Sequence, residues 1–294
     1  MRNSRHRAMN YRHAFHAGNF ADVFKHVVLS RIVAHLRAKP TAFRAIDTHA
    51  GAGLYDLTGE EANRTGEFHN GIERLIHAPL DANARQLLSL YLDAIAAHNP
   101  PGRLSVYPGS PALLHAWLRP QDGLIACELE PKGAAALSKA LRGDPRAKAV
   151  TIDGWIALSA CVPPKERRGV VIVDPPYEQP NEFIRLCDSV QAAHRKWPTG
   201  IYLLWYPIKD RCEPDALATR LARSGIAKIA RAELDLAPTK GDPGLRGCGL
   251  VVVNPPWTLE RELAVLLPVL ASVLSLDGNG KWRFDWLASE IMPQ

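Results

Sequence analysis

Short apolar runs alternate with helical stretches along most of this chain, and four of the runs lead into an acid. Phe43–Asp47 ends in Asp47, Leu124–Leu129 carries Glu128, Ala147–Ile152 is followed by Asp153, and Gly169–Asp174 ends in Asp174. Three more runs, Gly200–Tyr206, Ala230–Leu236 and Gly249–Asn254, bring the expected strands to seven, with helices near 131–142, 181–196 and 214–224 between them. The last two runs are joined only by the Gly- and Pro-rich stretch Ala237–Cys248, so the alternation closes on a hairpin. This is the signature of an α/β fold whose doubly wound, mostly parallel sheet holds one antiparallel strand. Ligands of such sheets sit beyond the carboxyl ends of the strands. Acids placed there can accept ribose hydroxyls or an adenine amino group, so four of them point to a nucleoside-bearing cofactor.

The remaining punctuation places the other elements. Residues 19–38 read as a helix capped by Asn19, with Phe20, Val23, Phe24, Val27, Val28 and Ile32 at helical spacing. The first strand runs into Gly51-Ala52-Gly53, a turn that lets backbone approach a ligand closely, although Asp56 stands where a phosphate-binding G-x-G-x-x-G needs its third glycine. Residues 56–107 carry helical patterns over Glu67–His77 and Asp81–His98 and no strong strand, so they read as a helical insertion. Ser110 then reads as the N-cap of a helix with Pro111 at its first position. A final helix, Leu259–Leu276, precedes a Trp-rich tail.

The chemistry concentrates at Asp174-Pro175-Pro176-Tyr177. A carboxylate and a prolyl carbonyl can accept the two N–H groups of a planar exocyclic amine, two prolines stiffen the turn, and the aromatic ring can stack on the base that carries the amine. Two acceptors fixed on those hydrogens favour a pyramidal nitrogen whose lone pair points at an electrophilic methyl group. Asn254-Pro255-Pro256-Trp257 repeats the pattern, but it follows the last strand, whereas Asp174 ends the strand next after the Asp153 strand. The order favours Asp174 and leaves Asn254 as a strand-ending turn.

Composition narrows the partners. Lys and Arg (36) exceed Asp and Glu (30), a formal net charge of +6 that suits a polyanion. Five scattered cysteines without a CxxC pair suggest neither disulfides nor zinc, and a reduced cytoplasm is the natural compartment. His13 and His16 have ligand-like spacing but no nearby acid cluster or cysteine to complete a metal shell, so no metal is expected. No apolar run reaches the ~18–20 residues of a membrane span. Residues 1–18 form a basic N-terminal segment, of which Met1–Ala8 read as an extension, with Met9 as an alternative start.

The ordered motifs YRHAFHAGNFADVFKH, DTHAGAG, RTGE, YPGSP, DPPY, TGIYLLWYP and NPPW, from Tyr11 to about Trp286, resemble the bacterial RlmJ family. That resemblance implies an S-adenosylmethionine-dependent enzyme that methylates N6 of a specific adenine in 23S ribosomal RNA. It implies a class I (Rossmann-like) methyltransferase domain over 19–55 and 108–294, interrupted by the helical insertion. Carried over by motif, His26, His49, Ser110, Glu128, Asp153, Gly154 and Asp174 form the cofactor set: His26, His49 and Ser110 at the methionine end, Glu128 on the ribose, Asp153-Gly154 on the adenine. Asp174 is the expected catalytic residue, and Tyr11, His13, Lys25, Pro175 and Tyr177 are the expected substrate contacts. Arg12, Arg64, Arg74 and Lys25 are expected to hold RNA backbone, and the protein is expected to act as a monomer. Two rival readings share this fold: a DNA adenine methyltransferase, which no separate target-recognition domain supports, and a non-catalytic RNA-binding factor.

Overall fold

A computed structural model of the protein describes residues 12–236 and 245–289. Tyr11 and most of the stretch Ala237–Cys248 lie outside these residues. The chain enters through a 3-10 turn (His13–Phe15) and helix α1 (Phe20–Arg37), then forms β1 (Arg44–Asp47). There follow β2 (Leu54–Asp56), α2 (Glu60–Thr65), a second 3-10 turn (Glu67–Asn70), α3 (Ile72–His77), α4 (Ala82–Ala97) and β3 (Val106–Pro108). Regular alternation takes over with α5 (Ser110–Trp117), β4 (Gly123–Glu128), α6 (Pro131–Ala140), β5 (Ala147–Thr151), α7 (Gly154–Ala160), β6 (Gly169–Val173), α8 (Glu182–Lys196), β7 (Ile201–Ile208) and α9 (Cys212–Ala222). The chain closes with β8 (Ile229–Asp235), β9 (Gly247–Val253), α10 (Leu259–Leu274) and β10 (Lys281–Ala288).

The main sheet runs β10-β8-β9-β7-β6-β1-β4-β5. The five strands from β7 to β5 are parallel, and β9 lies antiparallel between β7 and β8. This is the class I methyltransferase order with one strand added at its edge. The order reverses at β1, which pairs with β6 on one side and β4 on the other, so a crevice opens at the carboxyl ends of these strands. All five residues of β6 are buried. Val170 and Ile172 face a core that includes residues of α1, α4, α5 and α10, and Val171 and Val173 face one that includes residues of α7, α8 and α9. A strand covered on both faces has no polar alternation to keep, which is why its sequence is a continuous apolar run.

Helix α1 is buried almost all round, from Val23 and Phe24 to Val33. Asn19 caps it as expected, accepting from the Asp22 N–H at 3.0 Å. Its outer contact is a two-pronged ion pair, in which Arg31 donates to Glu262 of α10 at 2.9 and 3.1 Å.

Several expectations need correcting. The main sheet has eight strands, because the Trp-rich tail forms β10 against β8. Trp282, Phe284 and Trp286 alternate there with Lys281, Arg283 and Asp285, the period of a half-buried strand. Charged residues mask that period in a search for apolar runs. Strands β2 and β3 pair as a separate two-stranded sheet and are only three residues each, too short for any pattern to reveal. Glu67–His77 is broken into a 3-10 turn and α3 at Gly71. A Cβ there would lie 2.0 Å from the Gly18 carbonyl oxygen, so the close approach of that backbone requires glycine. Helix α2 and helix α7 were not anticipated either; both are under eight residues long.

The pairing of β1 with β6 leaves no room beside Gly169, where a Cβ would sit 1.9 Å from the Arg44 carbonyl oxygen. Gly169→Ala is therefore expected to destabilise the protein by roughly 3 kcal/mol through overpacking, read as a lower denaturation midpoint in urea at unchanged slope. A midpoint equal to the parent's would contradict this packing.

Candidate active site

The glycine turn after β1 sits at the switch point. The Thr48 N–H donates to the Ile172 carbonyl at 3.1 Å and the Ala50 N–H to the Cys127 carbonyl at 2.8 Å, so the turn is fastened to β6 and β4 at once. Gly51 (φ +64°) and Gly53 (φ +86°) take left-handed conformations that favour glycine, and a Cβ on Gly51 would collide with the Tyr55 hydroxyl at 2.2 Å. The Gly51 N–H donates to Glu128 Oε2 at 2.8 Å, and the Glu130 N–H donates to Oε1 at 2.7 Å. Glu128 is thus aimed from the end of β4 by the turn itself.

Asp153 is an N-cap, accepting from the Trp155 and Ile156 N–H groups at 3.0 Å each through Oδ1. Gly154 is pressed against the glycine turn: a Cβ there would meet the Thr48 carbonyl oxygen at 2.3 Å and His49 Nε2 at 2.5 Å. The His49 ring also packs edge-on against Trp155. Burial holds its proton affinity down to about 4, against the pull of Asp174 and Asp153, so the imidazole is neutral. The Thr48 hydroxyl donates to the Ile172 carbonyl, so His49 Nδ1–H donates to Thr48 Oγ1 at 2.8 Å and Nε2 is left as an acceptor. Leu129 (49% exposed) and Ile156 (58% exposed) are large apolar side chains next to Glu128 and Asp153-Gly154. Exposed aliphatic groups beside two hydroxyl and amine acceptors suit the faces of a purine.

Deeper in the crevice lie polar atoms without partners. Both carboxylate oxygens of Asp47 and His26 Nε2 are buried and make no hydrogen bond. Burial raises the Asp47 carboxyl to about 7, against the nearby Ser110 hydroxyl and Lys25 ammonium, which favour its charged form. His26 is wholly buried, and burial together with Lys25 keeps its proton affinity well below the usual histidine range. Its Nδ1 meets the Tyr107 hydroxyl at 2.7 Å, which in turn meets the Tyr91 hydroxyl at 3.0 Å. If Tyr107 donates to Nδ1, Nε2 carries the hydrogen and is the orphaned donor. An orphaned donor and an orphaned carboxylate are what an amino-acid zwitterion would satisfy, with its carboxylate on one and its ammonium on the other. Ser110 supports Asp47 from the first turn of α5. Its expected capping role is not observed, because Gly109 occupies the N-cap position.

Asp174 ends β6 beside this crevice. The Lys25 ammonium donates to Asp174 Oδ2 at 2.5 Å and to Asp22 Oδ1 at 2.9 Å. Asp22 Oδ2 takes His13 Nε2 at 2.9 Å and the Gly18 N–H at 3.0 Å. One chain of charges therefore links the N-terminal 3-10 turn, α1 and the Pro-Pro turn. Burial alone would push the Lys25 ammonium down, but Asp174 and Asp22 outweigh it and hold it well above the lysine range. Asp22 is held well below the carboxylate range, as His13 and Lys25 overcome its burial. Pro175 is buried, and Tyr177 adopts φ +53°, a costly conformation for an aromatic residue. Its hydroxyl donates to the Trp205 carbonyl at 2.8 Å and its ring lies 4.7 Å from Phe183, so both ends of the side chain are fixed.

Most of the sequence-derived residues thus converge on one crevice, and Tyr11 falls outside the described residues. Asp22, Asp47, Tyr107 and Trp205 join them. Asp22 was signalled by its place three residues before Lys25 on one helix face, and Asp47 by its place at a strand end. Tyr107 and Trp205 carried no signal beyond their motifs. Lys25 is buried against Asp174 and so does not present its charge to an RNA backbone. Arg74 is likewise engaged inside the protein, donating to the Val273 and Ser275 carbonyls at 2.6 and 2.9 Å. Arg12 and Arg64 both lie over the Phe15 ring, and Arg12 also pairs with Glu61. Among the described residues, no group of His, Cys, Asp or Glu side chains could hold a metal ion, and no helix is long and apolar enough to cross a membrane.

Residues 40–288 match the family described as ribosomal RNA large subunit methyltransferase D, RlmJ. The chain is 39% identical over 282 residues to ribosomal RNA large subunit methyltransferase J of Escherichia coli, covering 96% of this chain and 100% of that one. It is 36% identical to the protein of the same name from Haemophilus influenzae, with the same coverage. A crystal structure of a Legionella pneumophila protein, 33% identical, superposes with a TM-score of 0.84 over 92% of this chain and 98% of that one.

The orphaned Asp47 carries a pH signature. A carboxyl raised to about 7 in the folded state binds a proton that the unfolded chain releases near the ordinary Asp value. Its contribution to stability is therefore present below that value and is lost as pH rises towards and through 7, by up to about 4 kcal/mol. Asp47→Asn is expected to raise the melting temperature of the ligand-free protein more at pH 8 than at pH 5. An equal gain at both pH values would rule out the raised carboxyl.

Proposed function

The chain belongs to the RlmJ family of ribosomal RNA large subunit methyltransferases, and on that premise we propose that it methylates N6 of one adenine in 23S ribosomal RNA. The observation that carries the reading is the Asp174 carboxylate. It stands at the tip of β6 with Oδ2 held by Lys25, next to a crevice whose buried donor and acceptor are unmatched. The methyl donor of the family is S-adenosylmethionine, which supplies an electrophilic methyl group on a sulfonium centre.

The residues present fit that donor. His26 Nε2 and Asp47, with Ser110 beside it, would take the carboxylate and ammonium of its methionine end. Glu128, already aligned by the Gly51 N–H, would accept the ribose hydroxyls. Asp153 and Gly154 would meet the adenine between Leu129 and Ile156, with His49 closing the crevice from the glycine turn.

The target adenine would be held at the Pro-Pro turn. Lys25 fixes Oδ2 of Asp174, so the other oxygen is the one to accept an N6 hydrogen, and a prolyl carbonyl of the turn takes the second. The Lys25–Asp174 contact fixes the carboxylate, so the part of Asp174 is to orient the amine and favour the developing positive charge on nitrogen. The released proton passes to Asp174 or to water. Tyr177, tethered through its hydroxyl and backed by Phe183, offers a ring of fixed tilt for stacking. His13 reaches the same charge chain through Asp22, so the 3-10 turn His13–Phe15 would lie beside the base. The adenine must be unpaired or extruded, because an A-form duplex leaves no access to this depth. We read the helices between β2 and β3 as an insertion that helps hold the RNA, with Arg64 and Arg12 at its exposed rim.

Asp174→Ala is expected to lower methyl transfer to a 23S ribosomal RNA fragment by about 10²–10³-fold while S-adenosylmethionine still binds in calorimetry. Lys25→Ala should lower kcat more than it raises KM, since Lys25 acts through Asp174. Unchanged kcat in both variants would remove Asp174 from the reaction. Faster turnover on single-stranded DNA of matched sequence than on RNA would replace the RNA reading with the DNA one, and ribosomal RNA from cells lacking the protein should lose one N6-methyladenine by mass spectrometry.

A further inference from the structure

The second Pro-Pro-aromatic motif has no part in the site above, and the topology explains why. Strand β9 runs antiparallel to β7, so Asn254 lies at the opposite end of the sheet from Asp174. Five residues of β6 separate the two ends, about 17 Å of strand. The Asn254 side chain does not offer its amide to a ligand: its N–H groups donate to the Pro198 and Gly200 carbonyls at 2.7 and 2.8 Å. That clamp, together with φ +53° at Asn254, turns the chain outward and projects Trp257, which is 79% exposed.

Trp257 overhangs a groove of ≈ 320 Å³ whose other walls include His35, Arg168, Thr199 and Lys228. No acid lines it. Arg168 is anchored to the Thr41 carbonyl at 3.0 Å, which fixes its charge at the groove. Burial, then Arg168 and Lys39, disfavour a proton on His35 against the pull of Glu262, and burial and Arg119 disfavour the charge on Arg168 against the pull of Asp122. An indole left almost bare beside fixed cations is costly to expose and matches one kind of ligand well. A base stacks on the indole while its phosphate meets the Arg168 guanidinium.

We propose that this groove is a second RNA site, which takes an unpaired nucleotide of the substrate RNA at a distance from the target adenine. The proposal rests on the RNA reading of the active site and adds a contact on the opposite face of the sheet. It makes the enzyme a reader of a wider stretch of RNA than the loop that carries the adenine, because only an RNA long enough to reach past the sheet can fill both sites. An acidic protein partner would satisfy the cations but not require a planar group on Trp257.

The test compares two fluorescently labelled 23S-derived RNAs, a long fragment and a short hairpin holding only the target loop. Dissociation constants are measured by anisotropy for the parent, Trp257→Ala and Trp257→Phe. Trp257→Ala should weaken the long RNA by between about fivefold and a hundredfold, leave the short hairpin unchanged, and leave kcat on the hairpin unchanged. Trp257→Phe should keep most of the affinity for the long RNA. Equal affinity of parent and Trp257→Ala for the long RNA, or equal loss on both RNAs, overturns the proposal. Failure of the active-site reading looks different: the parent then transfers no methyl group to either RNA, whatever the binding constants are.

Discussion

A buried ammonium between two carboxylates holds the reactive end of this protein together. Lys25 lies on a helix that is otherwise apolar nearly all round, and only Asp22 and Asp174 make its burial tolerable. Removing one partner of such a buried pair typically costs about 3–5 kcal/mol, because the other charge is left unmatched. The position of α1 against the sheet and the position of the Pro-Pro turn are thus settled by the same contact. Through Asp22 the chain of charges reaches His13 and the Gly18 N–H, so the N-terminal turn is held to the tip of β6 as well. An arrangement that orients one carboxylate by three elements is rigid by construction. Rigidity is what a poor nucleophile such as an aromatic amine needs, since its reactivity depends on angle more than on proton removal.

Strand direction then decides what each motif can do. Asp174 and Asn254 head almost the same four residues, yet one strand points at the switch-point crevice and the other away from it. The asparagine spends its amide on two backbone carbonyls, and the aspartate keeps one oxygen unengaged by the lysine. Local sequence therefore proposes two amine sites, and the antiparallel run of β9 removes one of them and turns its aromatic residue towards solvent.

The parts of this structure legible in the sequence are those with a local cause. Continuous apolar runs mark the strands covered on both faces, Asn19 and Pro111 mark helix starts, and the acids at strand ends mark the crevice. What stayed hidden depends on partners distant in sequence. Strand β10 is a strand because β8 offers it an edge, and its own residues alternate charge with aromatic rings. Lys25 looked like an RNA contact until α1 proved to be buried, and Asp22 gains its role only where Lys25 and His13 converge on it. Ser110 was expected to cap α5, but the backbone places Gly109 there and the serine lies near Asp47. Ser110 shows the general difficulty: a polar side chain is assigned to the nearest local need, and the fold gives it a remote one.

The crevice also shows a cost carried for function. Asp47 and His26 leave buried polar atoms without partners, a condition that native proteins rarely tolerate. Replacing them with apolar residues would remove these unpartnered atoms and stabilise the fold. Burial and the neighbouring Lys25 keep His26 neutral, and neutrality matters because a second buried cation next to Lys25 would repel it. Asp47 can then supply the negative charge on demand, since its raised proton affinity falls once an ammonium lies against it. Without a ligand, burial favours a proton on Asp47, against the pull of Ser110 and Lys25.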